Sequence, residues 1–296
     1  MIELRDIHYA RLGTRDLDAA EKYATQIIGL QMVERTAERV YLKSDSRHHT
    51  LAYCLGDPAE QVIAFELQDG SALGAAYEYL RGADVPCGMG SAAEAADRHV
   101  EGFLWFLDPT GNRIELVARP HEAGRRYFPA RDAGILGFGH VGLCSTDPVR
   151  DQAFWLTHFN ALVSDWIGPC PLLRVNTRHH QMALFAAQRK GIQHINHQVA
   201  EIDDIMRSWY FLTERNIRIV FGPGRHPTSG GNFLYFDGPD GVIFEYSNSD
   251  RKIIEDISTY RPRQFPLHPT SFCMWGSKPD IAEFKERLRQ ILPGEN

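Results

Sequence analysis

Short stretches of alternating apolar and polar residues run along the chain, and single segments with helical spacing separate them. In the first such segment, apolar residues recur on one helical face at Ala19, Ala20, Tyr23, Ile27 and Ile28. Gly29 is expected to end this helix. Strands are predicted before it, around His8, and after it, at 31–34, 40–42 and 50–54. The order strand, helix and three strands predicts one βαβββ module.

A second module of the same kind follows directly. Its first strand begins near Gln61, and its helix is predicted at Ala72–Arg81. Residues 103–117 form two apolar stretches around an Asp-Pro-Thr-Gly turn, which is typical of a pair of strands.

The chain then repeats itself. Residues 7–33 are echoed by 139–164, residues 40–53 by 172–185, and residues 103–117 by 233–247. The second copy has a predicted strand at 194–202 and a helix at Ile202–Arg215. We therefore predict a first domain at 1–117, a linker rich in Pro, Gly and charge at 118–136, and a second domain at 137–296. A tail from about residue 249 lies outside the repeat and includes a predicted helix, Pro279–Leu292.

Composition narrows the class of protein. Of 296 residues, 43% are hydrophobic and 24% are charged, which is typical of a globular domain. A net charge of −6 argues against a nucleic-acid partner. The charged N-terminus and the absence of a long apolar run argue against a signal peptide and a membrane partner. Five cysteines without a CxxC pair suit reduced thiols, so a cytoplasmic location is expected.

The two copies differ in their candidate metal ligands. In the register of the repeat, His8 matches His140, His49 matches His180, Val62 matches His194, and Glu115 matches Glu245. A histidine or glutamate in an apolar strand is costly to bury without a partner, and a metal ion would remove that cost. Two imidazoles with one carboxylate are the ligand set of non-haem Fe(II) sites. The second copy has this set. The first copy lacks it, because Val62, which cannot bind a metal, stands in place of the second histidine.

The alternation of side chains along a strand indicates which of two nearby histidines faces the site. Successive side chains face opposite sides of a sheet. His194 and His197 therefore cannot both face the site, and the repeat favours His194. His180 is expected to face inward, and His179 to face outward or to be bonded locally.

Four segments of the second copy resemble the type I extradiol catechol dioxygenases of the vicinal-oxygen-chelate superfamily. They are GFGHVGL, RHHQMAL, the strand of His194, and GPGRHPTSGGNFLYFDGPDGVIFEYS. The resemblance extends from about residue 3 to 250 and implies an α+β fold of two tandem barrel-like domains, each of two βαβββ modules. It implies that His140, His194 and Glu245 bind the iron. It further implies that His180 is an acid–base catalyst, and that His226 and Tyr235 hydrogen-bond a catechol oxygen.

The function implied is an Fe(II)-dependent extradiol dioxygenase, with Mn(II) as a possible substitute. It would insert O2 into a catechol-type aromatic diol, and homo-oligomers are common among such proteins. A metal-dependent glyoxalase-like isomerase or lyase on the same fold is the alternative. Those enzymes commonly use more than one carboxylate ligand and lack the RHH and GRH histidines. A metal-free binding protein of the superfamily is a third hypothesis.

Overall fold

Two mixed sheets, each made from two βαβββ modules, form the core of the structure, a computed structural model that describes residues 1–248 and 258–285. The elements of the first two modules are β1 (Leu4–Thr14), α1 (Leu17–Tyr23), β2 (Gln31–Arg35), β3 (Arg39–Lys43), β4 (Leu51–Leu55), β5 (Gln61–Leu67), α2 (Leu73–Gly82), β6 (Cys87–Met89), α3 (Ala92–Asp97), β7 (Val100–Leu107) and β8 (Arg113–Pro120). Their strands lie in the order β2-β3-β4-β1-β5-β8-β7-β6.

The second sheet repeats this order and adds one strand. Its modules comprise β9 (Ile135–Ser145), α4 (Pro148–His158), β10 (Leu162–Ile167), β11 (Cys170–Arg174), β12 (Met182–Ala186), β13 (Ile192–Val199), α5 (Ile202–Glu214), β14 (Ile219–Arg225), β15 (Asn232–Asp237) and β16 (Ile243–Asn248). The tail contributes β17 (Arg263–Phe265) and α6 (Pro269–Phe272). The order is β14-β15-β16-β13-β9-β12-β11-β10-β17, so β9 and β13 pair antiparallel at the centre as β1 and β5 do. The predicted α+β fold of two tandem barrel-like domains is confirmed.

Helix α1 shows why the sequence folds as predicted. Asp16 caps its N-terminus by accepting a hydrogen bond from the backbone N–H of Ala19 at 2.9 Å. The helix continues through a π-helical turn, Ala24–Ile28, and Gly29 ends it with a φ of 86°. Glycine adopts this left-handed conformation without steric cost, so the predicted end is confirmed.

The chain divides into two compact units. One contains Met1–Asp132 with Arg150–Ala161, and the other contains Ala133–Val149 with the described residues from Leu162 onward. In the first unit, Trp155 of α4 and Phe159, which directly follows α4, pack on Phe106, and Trp155 also packs on Phe65. Helix α4 thus covers the first sheet although it follows a strand of the second. The division into 1–117, 118–136 and 137–296 stays a prediction.

Two sequence predictions concern the tail and membranes. Residues 282–285 are helical, and the rest of the predicted helix Pro279–Leu292 lies largely outside the described residues. Within residues 1–248 and 258–285, no helix has both the length and the apolar character that crossing a membrane requires. All five cysteines are free thiols.

Candidate metal centre

His140, His194 and Glu245 meet at the centre of the second sheet. They lie on β9, β13 and β16, and β13 pairs with both other strands. His140 Nε2 lies 3.1 Å from His194 Nε2 and 3.0 Å from Glu245 Oε2, and His194 Nε2 lies 3.5 Å from the same oxygen. All three side chains are buried. Three chemically suited atoms therefore converge on one point.

These separations suit a single metal ion. Ligand atoms about 2.1 Å from one ion lie about 3.0 Å apart at right angles and about 3.4 Å apart at tetrahedral angles. Burial lowers the pKa of His194 to about 3, so its ring is neutral at pH 7 and keeps a lone pair. Burial also opposes ionisation of Glu245, but His140, His226 and His194 together outweigh it and hold the Glu245 pKa well below its usual range. Neutral imidazoles and an ionised carboxylate are the forms that bind divalent metals.

Two buried amide side chains orient the candidate ligands. Gln193 Oε1 accepts a hydrogen bond from His194 Nδ1, which leaves the lone pair of the ring on Nε2, facing His140 and Glu245. Asn196 Nδ2 donates to Glu245 Oε2 at 2.8 Å. Such partners fix the tautomer of a ligand histidine and the rotamer of a ligand carboxylate. Sequence reasoning missed both residues, although each lies within two positions of His194.

A glycine on β9 leaves room for the His194 ring. Gly142 is the strand partner of His194, and a Cβ there would lie 2.5 Å from His194 Nδ1. Gly139 makes similar room, because its Cβ would lie 2.1 Å from Asn196 Oδ1. The small residues that flank His140 in the sequence are thus required by the side chains of β13.

The other three predicted residues surround these atoms. The His180 ring lies 4.2 Å from the His140 ring, measured between centroids. Tyr235 is the strand partner of Glu245, and its hydroxyl lies 3.3 Å from His226 Nε2. Burial, followed by the negative charge of Glu245, raises the pKa of Tyr235 well above its usual value. The structure therefore brings all six predicted residues together.

The tail fixes the tautomer of His226. His226 Nδ1 donates to the backbone carbonyl of Phe272 in α6 at 2.7 Å, because a carbonyl oxygen can only accept. In the neutral ring, Nε2 then carries the lone pair and accepts from the Tyr235 hydroxyl. The sequence contained no signal for this contact, since a backbone carbonyl in the tail supplies it.

Of the two alternatives expected for His179, the outward orientation is wrong, and the side chain is instead hydrogen-bonded to its neighbours. The side chain is buried, and its Nε2 lies 3.0 Å from Asp165 Oδ2. Its Nδ1 lies 3.0 Å from His180 Nδ1. The residue precedes β12 rather than lying in it, so strand alternation does not apply there.

A cavity opens beside the candidate ligands. Its apolar wall consists of Ile167, Leu172, Ala183, Phe185, Phe272 and Phe284. Hydroxyl groups of Thr228, Ser229 and Ser247 also line it. Among its lining residues in the described part of the chain, none is lysine, arginine or aspartate. The cavity thus suits a neutral, largely apolar ligand.

The first repeat fills the corresponding space with protein. Strands β1 and β9 both have 11 residues and the same order of buried and exposed positions, which matches His140 with Tyr9. The sequence alignment of His8 with His140 is therefore wrong by one residue. The Tyr9 hydroxyl donates to Glu115 Oε2 at 2.6 Å, and Arg98 binds both carboxylate oxygens of Glu115 at 2.7 and 2.8 Å. A guanidinium thus neutralises Glu115 where a metal ion would neutralise Glu245.

A family model described as the Glyoxalase/Bleomycin resistance protein/Dioxygenase superfamily matches residues 6–116 and 137–246. The chain belongs to this superfamily. Each match covers one of the two pairs of βαβββ modules, so the superfamily domain occurs twice in this member.

Characterised members of the superfamily resemble the chain over most of its length. A 1,2-dihydroxynaphthalene dioxygenase of Sphingobium xenophagum is 26% identical, over 85% of this chain and 91% of that protein. An iron-dependent extradiol dioxygenase of Rhodococcus jostii is 23% identical, over 93% and 97%.

Two solved enzyme structures share the fold. Homoprotocatechuate 2,3-dioxygenase from Brevibacterium fuscum superposes with a TM-score of 0.87 at 18% identity, over 96% of this chain and 92% of that chain. A Mn(II)-bound glyoxalase from Novosphingobium aromaticivorans gives a TM-score of 0.84 at 22% identity, over 96% and 94%.

Proposed function

We propose that the chain is an Fe(II)-dependent extradiol dioxygenase that inserts O2 into a catechol-type aromatic diol and opens its ring. The observation that carries the proposal is the convergence of His140, His194 and Glu245 in the second repeat, beside an apolar cavity that His180, His226 and Tyr235 also line. The relatives named as ring-cleaving dioxygenases support the same reaction.

His140, His194 and Glu245 would hold the ion. Two neutral imidazoles and one carboxylate leave a divalent ion with a net charge of about +1, which favours a singly deprotonated diol in a buried cavity. Bound Fe(II) would supply the redox chemistry that lets triplet O2 react with a singlet aromatic. Mn(II) accepts the same ligands, so it is a possible substitute.

The remaining residues would bind the diol and handle its protons. The Tyr235 hydroxyl and His226 line the cavity as a hydrogen-bonded pair, and the Tyr235 oxygen, whose hydrogen is donated to His226, can accept a hydrogen bond from a hydroxyl of the substrate. His180 lines the cavity from the side of β12, where an imidazole can accept and return a proton. The phenylalanines of the wall exclude water from the reacting diol.

A glyoxalase-like isomerase or lyase is the second candidate, because a Mn(II)-bound glyoxalase shares the fold. The ligand set argues against it. The candidate site contains one carboxylate, and histidines and a tyrosine surround it. Such enzymes act without O2, so oxygen consumption separates the two functions.

Anaerobic reconstitution with Fe(II), followed by addition of a diol and air, tests the proposal. We expect oxygen uptake and a yellow ring-opened product with 3-methylcatechol, 2,3-dihydroxybiphenyl or 1,2-dihydroxynaphthalene. Conversion of a glutathione hemithioacetal without oxygen uptake would instead support the isomerase. A homo-oligomeric state and a cytoplasmic location remain predictions, which light scattering and cell fractionation would check.

A further inference from the structure

A buried chain of three polar side chains runs outward from His180. His180 Nδ1 lies 3.0 Å from His179 Nδ1, and His179 Nε2 lies 3.0 Å from Asp165 Oδ2. The exposed fraction is 6% for His180, 3% for His179 and 0% for Asp165. Water is therefore excluded from these three side chains, and the orientation of each must be set by the protein groups to which it is hydrogen-bonded.

Arg263 in the tail keeps Asp165 ionised. Its backbone N–H and guanidinium donate to the two carboxylate oxygens at 2.8 and 2.7 Å. Burial opposes ionisation, but His179 and Arg263 outweigh it and lower the pKa of Asp165 below its usual value. The negative charge of Asp165 is thus already balanced, so a buried His179 need not carry a positive charge.

The directions of the hydrogen bonds follow from this charge state. An ionised carboxylate can only accept, so His179 Nε2 carries a hydrogen and donates to Asp165. In the neutral His179 ring, Nδ1 is then an acceptor. The short contact between the two Nδ1 atoms requires one donor, so the hydrogen lies on His180 Nδ1. In the neutral form of His180, the lone pair then lies on Nε2.

We propose that Asp165 and His179 are positioning residues, which hold the His180 ring in one orientation and in the tautomer with its hydrogen on Nδ1. The importance of this tautomer for turnover rests on the proposed function, because His180 handles protons there. Arg263 connects the arrangement to β17, which pairs with β10 at Asp165.

The first repeat contains a looser copy of the same chain. His48 Nδ1 lies 3.3 Å from His49 Nδ1, and His48 Nε2 lies 4.0 Å from Glu34 Oε2. The Glu34 side chain is 45% exposed. The His49 ring stacks on Tyr9, as the His180 ring lies against His140. Substitutions of His48 therefore serve as matched controls, since Tyr9 stands there in place of a ligand histidine.

Kinetics of the Fe(II)-loaded enzyme provide the first test. We expect His179→Phe to lower kcat about 10- to 100-fold, as loss of an orienting partner does, with KM changed less than about threefold. Iron content should stay unchanged. His179→Gln keeps a donor and an acceptor and should retain most of kcat. If His179→Phe folds poorly, Asp165→Asn takes its place, and its kcat should fall by a similar factor. The control variant His48→Phe should leave kcat unchanged. Wild-type kcat in a folded, iron-loaded His179→Phe variant would overturn the proposal.

Nitrogen NMR of the Zn(II)-loaded protein tests the tautomer without any turnover. With histidine labelled by ¹⁵N, the His180 signals are assigned by their loss in His180→Gln. We expect a protonated Nδ1 in the wild type and a mixture of tautomers in His179→Phe. A protonated Nε2 in the wild type, or an unchanged His180 spectrum in His179→Phe, would overturn the proposal. A wild-type enzyme that is inactive on every diol would count against the dioxygenase function alone, since the spectrum still reports the tautomer.

Discussion

Tyr9 holds in the first repeat the strand position that His140 holds in the second. The Tyr9 hydroxyl donates to Glu115 at 2.6 Å, and His140 Nε2 lies 3.0 Å from Glu245. Both glutamates are buried, and each needs a positive partner. Arg98 is the positive partner of Glu115. Glu245 has no such arginine among its described contacts, so the second repeat is where a metal ion is needed.

The first prediction concerns metal retention. Glu245→Ala removes the one carboxylate of the candidate site, and we expect the purified variant to lose its iron. Elemental analysis after Fe(II) loading and desalting measures the stoichiometry, which should fall from about one per chain to near zero. Glu214→Ala, at an exposed position of α5, is the control and should keep wild-type iron. Full iron content or activity in Glu245→Ala would contradict the assignment.

The second prediction concerns the buried ion pair of the first repeat. Arg98→Met leaves the Glu115 charge buried without its guanidinium, and this should reduce the free energy of unfolding by about 3–5 kcal/mol. Urea denaturation measures the change. The double variant Arg98→Met/Glu115→Leu should recover part of the loss, because an apolar pair needs no charge partner although the Tyr9 hydroxyl loses its acceptor. Equal stability of the single variant and the wild type would show that Arg98 does not neutralise Glu115.

The third prediction concerns the ring substituent of the diol. The described cavity wall offers phenylalanines and aliphatic side chains but no cation, so a carboxylate there would be buried without a partner. We expect kcat/KM for 3,4-dihydroxyphenylacetate to be at least about 100-fold below that for 4-ethylcatechol, a neutral diol of similar size. Equal values would mean that a cation reaches the substituent.

The fourth prediction concerns acid stability. Burial, followed by the charge of Arg47, lowers the pKa of His8 from 6.5 to about 3. Below pH 6.5 the unfolded chain therefore binds a proton that the folded chain rejects, and stability falls until about pH 3. This histidine alone should lower the free energy of unfolding by about 2 kcal/mol between pH 7 and pH 5. The difference in unfolding free energy between these pH values should be smaller by that amount in His8→Gln. An unchanged difference would rule out a buried neutral His8.

Periodicity and repetition predicted the parts of the molecule that have a regular signal. The helices α1, α2 and α5 and the paired strands β7–β8 and β15–β16 follow from residue spacing, and the His194 assignment follows from the repeat. Arg98, Asp165 and Gln193 carry no such signal, since each acts through individual side-chain contacts that leave no periodic pattern in the sequence. The sequence alignment matched His140 with His8 because both are histidines. The strand positions match His140 with Tyr9, one residue later, and the residue types alone did not indicate this.

The glycine on β9 shows what a metal site in the first repeat would require. Gly142 lies opposite His194, whereas Arg11 lies opposite Val62 in the first sheet. In the second repeat the large side chain of this pair is His194 on β13, and its partner on β9 is a glycine. In the first repeat the large side chain is Arg11 on β1, and its partner on β5 is Val62. A Val62→His substitution would therefore meet Arg11, and a designer who wants two iron centres in one chain must clear that guanidinium before adding any ligand.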